Sequence, residues 1–142
     1  MAKVDFYVLP SDGEFVRQQF ACRLAEKAYK LENRVHINVA NAETEQKLDA
    51  LLWTFRDDSF VPHQALGTSS DHVNAPVTIS CDSLPSEECD LLINLAETIP
   101  DRAEAVPRIA EIVSSDDACR SLSRQRFVDY RGQGHTLNTH KL

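Results

Sequence analysis

Four side chains near the carboxyl-terminal end of the sequence have the types and the spacing of a receptor for anions. They are Arg120, Arg124, Phe127 and Arg131. Their spacing of i, i+4, i+7 and i+11 places them within roughly 60° of one another around a helix axis. Guanidinium groups pair with carboxylates in bidentate fashion, and an aromatic ring offers an apolar wall. The pattern favours a site for a short peptide that carries carboxylates and a hydrophobic end group. The alternative is a solvated helix with Phe127 turned inward.

The residue types that usually carry catalysis are present, but their spacing does not indicate a catalytic site. The histidines show neither HExxH nor HxH spacing, and no serine lies in a GxSxG sequence. The four cysteines form no CxxC pair, so free and buried thiols are expected at Cys22, Cys81, Cys89 and Cys119. We therefore predict no catalytic residue, no metal site and no cofactor.

The first junction between a strand and a helix lacks the glycines that a phosphate site requires. Residues 9–14 read LPSDGE, with one glycine and neither GxGxxG nor GxxxxGK[ST]. Asp12 and Glu14 would repel a phosphate at that position. A small nucleotide-dependent or hydrolytic enzyme is thus the less favoured alternative function.

The apolar pattern predicts strands and helices in alternation. Strands are predicted at residues 4–9, 35–39, 77–81, 91–95 and 108–113. The first helix carries its apolar face at Val16, Phe20, Leu24, Ala28 and Leu31. Asn41 is the expected N-cap of the second helix, and the last helix is predicted from Ala118 to about Arg131. The order predicts one three-layer α/β domain over residues 1–142, with a mainly parallel sheet and helices on both faces.

Trp53 is expected to lie away from the core. Its helix has one apolar stripe, at Leu48, Leu51, Leu52 and Phe55. At about 100° per residue, Trp53 lies roughly 140° from Leu48. A short apolar run follows, formed by Phe60, Val61 and Pro62. Together these residues form either a second small core or a docking surface for another protein.

The charges are unevenly distributed along the chain. The net charge is −7, yet residues 114–142 hold five lysines and arginines against three aspartates. The negative net charge argues against a protein that binds nucleic acid over its whole surface. The basic segment 114–142 predicts a local site for an anion. Direct nucleic-acid binding through the basic helix is a third, less favoured possibility. A membrane span and a signal peptide are not indicated, so we expect a cytoplasmic protein.

Several sequence blocks, taken in order, resemble the chi subunit of the bacterial DNA polymerase III holoenzyme, an accessory protein of the clamp-loader complex. They are FYVL (6–9), LLWTF (51–55), SFVPH (59–63), PVTI (76–79) and RQRFVDYRGQGHTLNT (124–139). The blocks span nearly the whole chain, and SFVPH and the final block are the most specific of them.

The resemblance implies a Rossmann-like α/β fold without nucleotide chemistry and a non-enzymatic adaptor of the replisome. One surface would bind the psi subunit, which links chi to the clamp loader. Another would bind the acidic, Phe-terminated C-terminal tail of single-stranded-DNA-binding protein. Carried over to this sequence, the tail site would contain Arg120, Arg124 and Phe127. The psi surface would contain Trp53, Phe60, Val61 and Pro62.

One position departs from the family pattern. Where members can carry a second basic residue after the aromatic, this chain has Val128, followed by Asp129. The change implies a weaker electrostatic contribution at the tail site. Arg131, one turn from Phe127, is expected to substitute in part.

Overall fold

The computed structural model describes residues 3–54, 63–65, 76–81, 89–99 and 106–142. Within these ranges, strands and helices alternate along much of the chain. The elements are β1 (Lys3–Val8), α1 (Glu14–Lys30), β2 (Val35–Val39), α2 (Ala42–Thr54), β3 (His63–Ala65), β4 (Val77–Cys81), β5 (Leu91–Asn94), β6 (Arg108–Val113), α3 (Asp117–Gly132) and β7 (Thr136–Lys141).

The strands form one sheet in the order β3-β4-β2-β5-β6-β1-β7, and every pairing is parallel. β1 lies between β6 and β7, so that Val8 is opposite both Val113 and Lys141. The parallel α/β architecture expected from the sequence is therefore confirmed.

Side chains alternate between the two faces of the sheet, and each face has its own apolar core. On one face, Ile37 and Ile93 pack with Ala25 of α1 and Leu48 of α2. On the other, residues of β1, β5 and β6 pack with Tyr130 of α3. Helices thus cover both faces, as expected for a three-layer, Rossmann-like domain.

The predicted apolar face of α1 is confirmed except at Leu31: Ala28 is buried, and Val16, Phe20 and Leu24 are partly buried against the core. The small residues Ala21, Cys22 and Ala25 are fully buried, whereas Leu31 is 66% exposed beyond the end of the helix. Arg17, which is not one of the predicted apolar positions, is buried as well. Small side chains let a helix approach the sheet closely, so the buried face follows volume as well as hydrophobicity.

The expected cap of α2 is confirmed. Asn41 Oδ1 accepts a hydrogen bond from the backbone N–H of Thr44 at 2.8 Å. The last helix also lies close to its predicted bounds, with Asp116 as the N-cap residue. β7 was not predicted, because Leu137 is its single large apolar residue.

Candidate functional site

The buried side of α3 is polar as well as apolar, and it sets which residues the helix exposes. Ser123, Arg126 and Tyr130 face inward at i, i+3 and i+7. Arg126 Nε donates to Glu111 Oε1 at 3.0 Å, and the Tyr130 hydroxyl donates to Glu111 Oε2 at 2.7 Å. Two contacts to one carboxylate of β6 therefore hold the rotation of the helix on the sheet.

Glu111 is surrounded by donors on the central strands. Asn94 Nδ2 donates to Glu111 Oε2 at 2.8 Å, and Asn38 Nδ2 donates to Asn94 Oδ1 at 3.1 Å. Burial raises the pKa of Glu111 above its ordinary value, while the Arg126 guanidinium and the hydrogen bonds oppose this shift. The result is a buried polar cluster beneath α3.

Three of the four predicted tail-site residues lie around one groove. Arg120 and Arg124 are exposed on α3, and Phe127 is partly buried, with its ring centroid 5.3 Å from that of Phe6. All three line a groove of about 460 Å³ between α3 and strands β1, β6 and β7. The groove lies within the volume range of ligand pockets.

The groove has an apolar floor. Its apolar lining residues are Phe6, Val8, Val113, Phe127 and Val128. Val128 is 62% exposed. An exposed valine beside the buried ring of Phe6 and the partly buried ring of Phe127 offers hydrophobic contact that the isolated chain leaves open to solvent.

Strand β7 forms the second wall of the groove, and the sequence reasoning missed it. Thr139 and Lys141 both line the groove, and Thr139 lies opposite Phe6 in the sheet. Lys141 brings a third cation to the site, beside Arg120 and Arg124. Among the described residues, the groove lining contains no carboxylate. Residues 136–141 read TLNTHK, so the only available signal was weak alternation around Leu137.

Arg131 is not brought into this groove. It is exposed near the end of α3 and is absent from the lining that contains Arg120, Arg124 and Phe127. Arg131 shares the angular position of the other three residues on the helix, but it lies a turn beyond Phe127 along the axis, and the α3 residues that line the groove run only from Arg120 to Val128. The partial substitution for Val128 that was expected of Arg131 therefore has no support in this arrangement.

The expected exposure of Trp53 is confirmed. The Trp53 side chain is 56% exposed, whereas its neighbour Leu52 and Leu48 are buried. Phe60, Val61 and Pro62 lie outside the described residues. A common surface with Trp53 therefore stays a prediction.

The crevice between β1 and β6 is the place where α/β proteins of this kind bind nucleotides, because the following helices lie on opposite faces. Here side chains of the protein itself bind the backbone groups around the crevice. Asp116 Oδ2 accepts a hydrogen bond from Ser114 Oγ at 2.8 Å and lies 3.4 Å from the backbone nitrogen of Gly13, at the start of α1. Arg17 donates to the carbonyl oxygens of Ile112 and Leu95. A carboxylate thus lies where a phosphate would bind, which disfavours the nucleotide-enzyme alternative.

The cysteines are free. Cys22 is buried and the other three are partly buried; burial raises the pKa of Cys22 to about 12 and that of Cys89 to about 11. Within the described ranges, no group of three or more histidine, cysteine, aspartate or glutamate side chains could hold a metal ion. None of the described helices combines the length and hydrophobicity needed to cross a membrane.

Comparison with known proteins gives full-length similarity to one family. The family described as DNA polymerase III chi subunit, HolC, matches residues 1–138. The DNA polymerase III subunit chi of Pseudomonas aeruginosa is 39% identical over 142 residues, covering 100% of this chain and 98% of that protein. The subunits of the same name from Haemophilus influenzae and Escherichia coli are each 31% identical, covering 98% of this chain and 97% of those proteins.

Among solved structures, the crystal structure of T4 UvsW is similar in fold. The TM-score is 0.66 at 8% identity, and the match covers 99% of this chain and 41% of that chain. At this level of identity, the similarity concerns the α/β architecture alone.

Proposed function

The chain belongs to the family of DNA polymerase III chi subunits, and we propose that it is a non-enzymatic adaptor of the replisome. In this proposal it bridges the clamp loader, through the psi subunit, to the acidic C-terminal tail of single-stranded-DNA-binding protein. It would work in the bacterial cytoplasm, at replisomes on the nucleoid, without a cofactor or catalytic activity of its own.

The groove beside α3 is the observation that carries the proposal. It combines three cations with an apolar floor, and its described lining residues include no carboxylate. A short peptide with carboxylates and a terminal aromatic ring complements both properties. The carboxylates would pair with Arg120 and Arg124, and the ring would pack against Phe127.

Two kinds of interaction would contribute to tail binding. Charge-assisted hydrogen bonds to Arg124 are exposed, so they should weaken with salt, and their removal should cost about 1–3 kcal/mol. Burial of the terminal Phe should contribute roughly 1.5–3 kcal/mol and resist salt. Because Val128 replaces a possible cation with apolar surface, the hydrophobic share should be relatively large.

The psi surface is proposed at the end of α2 and in the segment that follows it. Trp53 supports this assignment, since a large exposed aromatic side chain is typical of an interface anchor. Phe60, Val61 and Pro62 complete the proposed surface. It would be separate from the groove, because α2 and α3 cover opposite faces of the sheet.

The test of the tail site is a titration with an acidic peptide that ends in Phe, at low and high salt. Arg124→Ala should weaken binding chiefly at low salt, whereas removing the terminal Phe of the peptide should abolish most binding at both salts. Arg131→Ala is the matched control, because Arg131 is an exposed arginine of the same helix that does not line the groove.

Unchanged affinity for both Arg124→Ala and the shortened peptide would rule out this groove as the tail site. An equal loss for Arg131→Ala and Arg124→Ala would show that only the overall charge of the helix matters. Recovery of clamp-loader proteins and single-stranded-DNA-binding protein in a pull-down from a bacterial lysate would test the adaptor role as a whole.

A further inference from the structure

We infer that Lys141 determines specificity at the tail groove, by holding a carboxylate of the acidic peptide from the wall opposite Arg120 and Arg124. This inference rests on the proposed function of the groove. Lys141 lies in β7 and not in α3, and it takes the place of Arg131 as the additional cation of the site.

The position of Lys141 is set by the sheet. Residues Thr136–Lys141 pair with Lys3–Val8 in register, and the backbone N–H of Leu142 donates to the carbonyl oxygen of Val8 at 3.0 Å. Lys141 therefore belongs to a hydrogen-bonded strand and does not depend on a loop for its placement.

The direction of the Lys141 side chain follows from the alternation along β7. Leu137 packs in the core on the α3 side of the sheet, and Lys141, four residues later, lies on the same side. His140 lies on the opposite side, with its ring stacked 5.1 Å from Tyr7 and its Nε2 atom 3.0 Å from Asp5 Oδ1. The contacts of Leu137 and His140, on opposite faces of the sheet, thus place the Lys141 side chain on the α3 side.

The charges of the groove are open to a ligand. Among the residues that the structure describes, Arg120, Arg124 and Lys141 form no ion pair with a carboxylate. A carboxylate of the peptide would therefore not compete with an internal partner for these cations. Since Val128 supplies no charge, Lys141 raises the cations around the apolar floor from two to three.

The two walls differ in chemistry. Arginine presents a planar, bidentate fork, whereas lysine carries a compact charge on a flexible stem. Arg120 and Arg124 would hold one carboxylate in a defined geometry, and Lys141 would bind a second carboxylate over a wider range of positions. The groove should therefore prefer a peptide with at least two acidic groups over one with a single acidic group.

The decisive experiment compares Lys141→Met with Lys27→Met in a titration with a Phe-terminated peptide that contains several aspartates. Methionine keeps an unbranched stem without the charge, and Lys27 is an exposed lysine of α1, on the other side of the sheet. We expect Lys141→Met to lower the affinity about three- to tenfold at low salt and less than about twofold at high salt. Lys27→Met should leave the affinity unchanged.

Two further measurements sharpen the result. Lys141→Glu should lower the affinity more than Lys141→Met, since it places a like charge beside the ligand. Replacing the peptide's aspartates with asparagine should remove the difference between wild type and Lys141→Met. Thermal unfolding of each variant checks that β7 still pairs, and Lys141→Gln replaces any variant that fails to fold.

The outcomes separate this inference from the proposed function. If Arg124→Ala weakens binding while Lys141→Met and Lys141→Glu do not, the groove is the tail site and Lys141 has no role in it. If wild type does not bind the peptide, both the proposed function and the role of Lys141 fail. If Lys141→Met lowers the affinity for a single-stranded oligothymidylate as much as the affinity for the peptide, Lys141 is a general anion contact. That result would overturn its role in specificity for the peptide.

Discussion

Arg124 and Arg126 are two positions apart on α3, yet they do opposite things. Arg124 is exposed and lines the groove, whereas Arg126 is buried against Glu111. Arg126 also donates to the carbonyl oxygen of Glu97 at 2.9 Å and to Ser123 Oγ at 3.1 Å. Because Arg126 links the helix to the sheet, it holds Arg124 and Phe127 on the groove side.

Removing Arg126 should destabilise the fold in a pH-dependent way. Arg126→Met leaves a buried carboxylate without its ion-pair partner, so we expect a loss of about 3–5 kcal/mol near pH 7. Burial already raises the pKa of Glu111, and loss of the guanidinium should raise it further. A carboxyl group with a raised pKa in the folded state favours folding at low pH, and this contribution is lost as the pH rises.

The stability difference between wild type and Arg126→Met should therefore be smaller near pH 4.5 than near pH 7. Urea denaturation at both values measures it, with Arg124→Met as the exposed control on the same helix. An equal loss of unfolding free energy at both pH values would contradict the assignment of the charged Glu111 carboxylate as the source of the effect.

At the scale of elements, α2 presents two kinds of large side chain at neighbouring positions. Leu52 is buried in the core on one face of the sheet, and Trp53 is mostly exposed. The helical turn of about 100° per residue explains why adjacent residues have such different surroundings.

Trp53→Ala should separate partner binding from stability. We expect it to weaken psi binding by about 2 kcal/mol or more, with little effect on unfolding, because the isolated chain leaves most of this side chain in water. Leu52→Ala is the matched control and should instead lower the free energy of unfolding by about 2–5 kcal/mol. Titration with psi and urea denaturation give the two readouts. Unfolding of the domain by Trp53→Ala would show that Trp53 is a core residue.

At the scale of the whole molecule, a net charge of −7 coexists with a cationic groove. Long-range repulsion should oppose binding to a polyanion, while a short acidic peptide experiences mainly the nearby cations. We therefore expect the proposed tail site to discriminate between a peptide tail and a nucleic-acid backbone.

The protein alone should bind single-stranded DNA very weakly at physiological salt, because tight binding requires several unopposed basic contacts. Adding single-stranded-DNA-binding protein should bring the wild type onto DNA and should recruit Arg124→Ala less well. Fluorescence anisotropy of a labelled oligonucleotide measures both. Tight binding without the second protein would contradict the adaptor proposal.

Much of the fold follows from local patterns in the sequence. The apolar runs at residues 4–9, 35–39 and 91–95 are typical of strands buried on both faces, and the intervening helical periods predict parallel crossovers. The role of Asn41 as the N-cap of α2 and the exposure of Trp53 could also be predicted from local patterns. Capping and helical periodicity act over a few residues, so sequence spacing contains the information.

The surroundings of individual charged residues could not be predicted from the sequence. In β6, the sequence RIAEIV suggests a simple alternation, but Glu111 is fully buried because Arg126, Tyr130 and Asn94 converge on it. A buried carboxylate depends on partners from other elements, and their convergence is a property of the packed structure.

The second wall of the groove was decided by tertiary structure alone. β7 contains little apolar pattern, and it forms because the backbone of β1 offers a free edge to which residues Thr136–Lys141 can bond. Backbone hydrogen bonds are largely independent of side-chain type, so spacing could place Arg120, Arg124 and Phe127 on one helix but could not reveal Lys141 beside them. Only the pairing of the last strand with the first, across almost the full length of the chain, brings the lysine to the arginines.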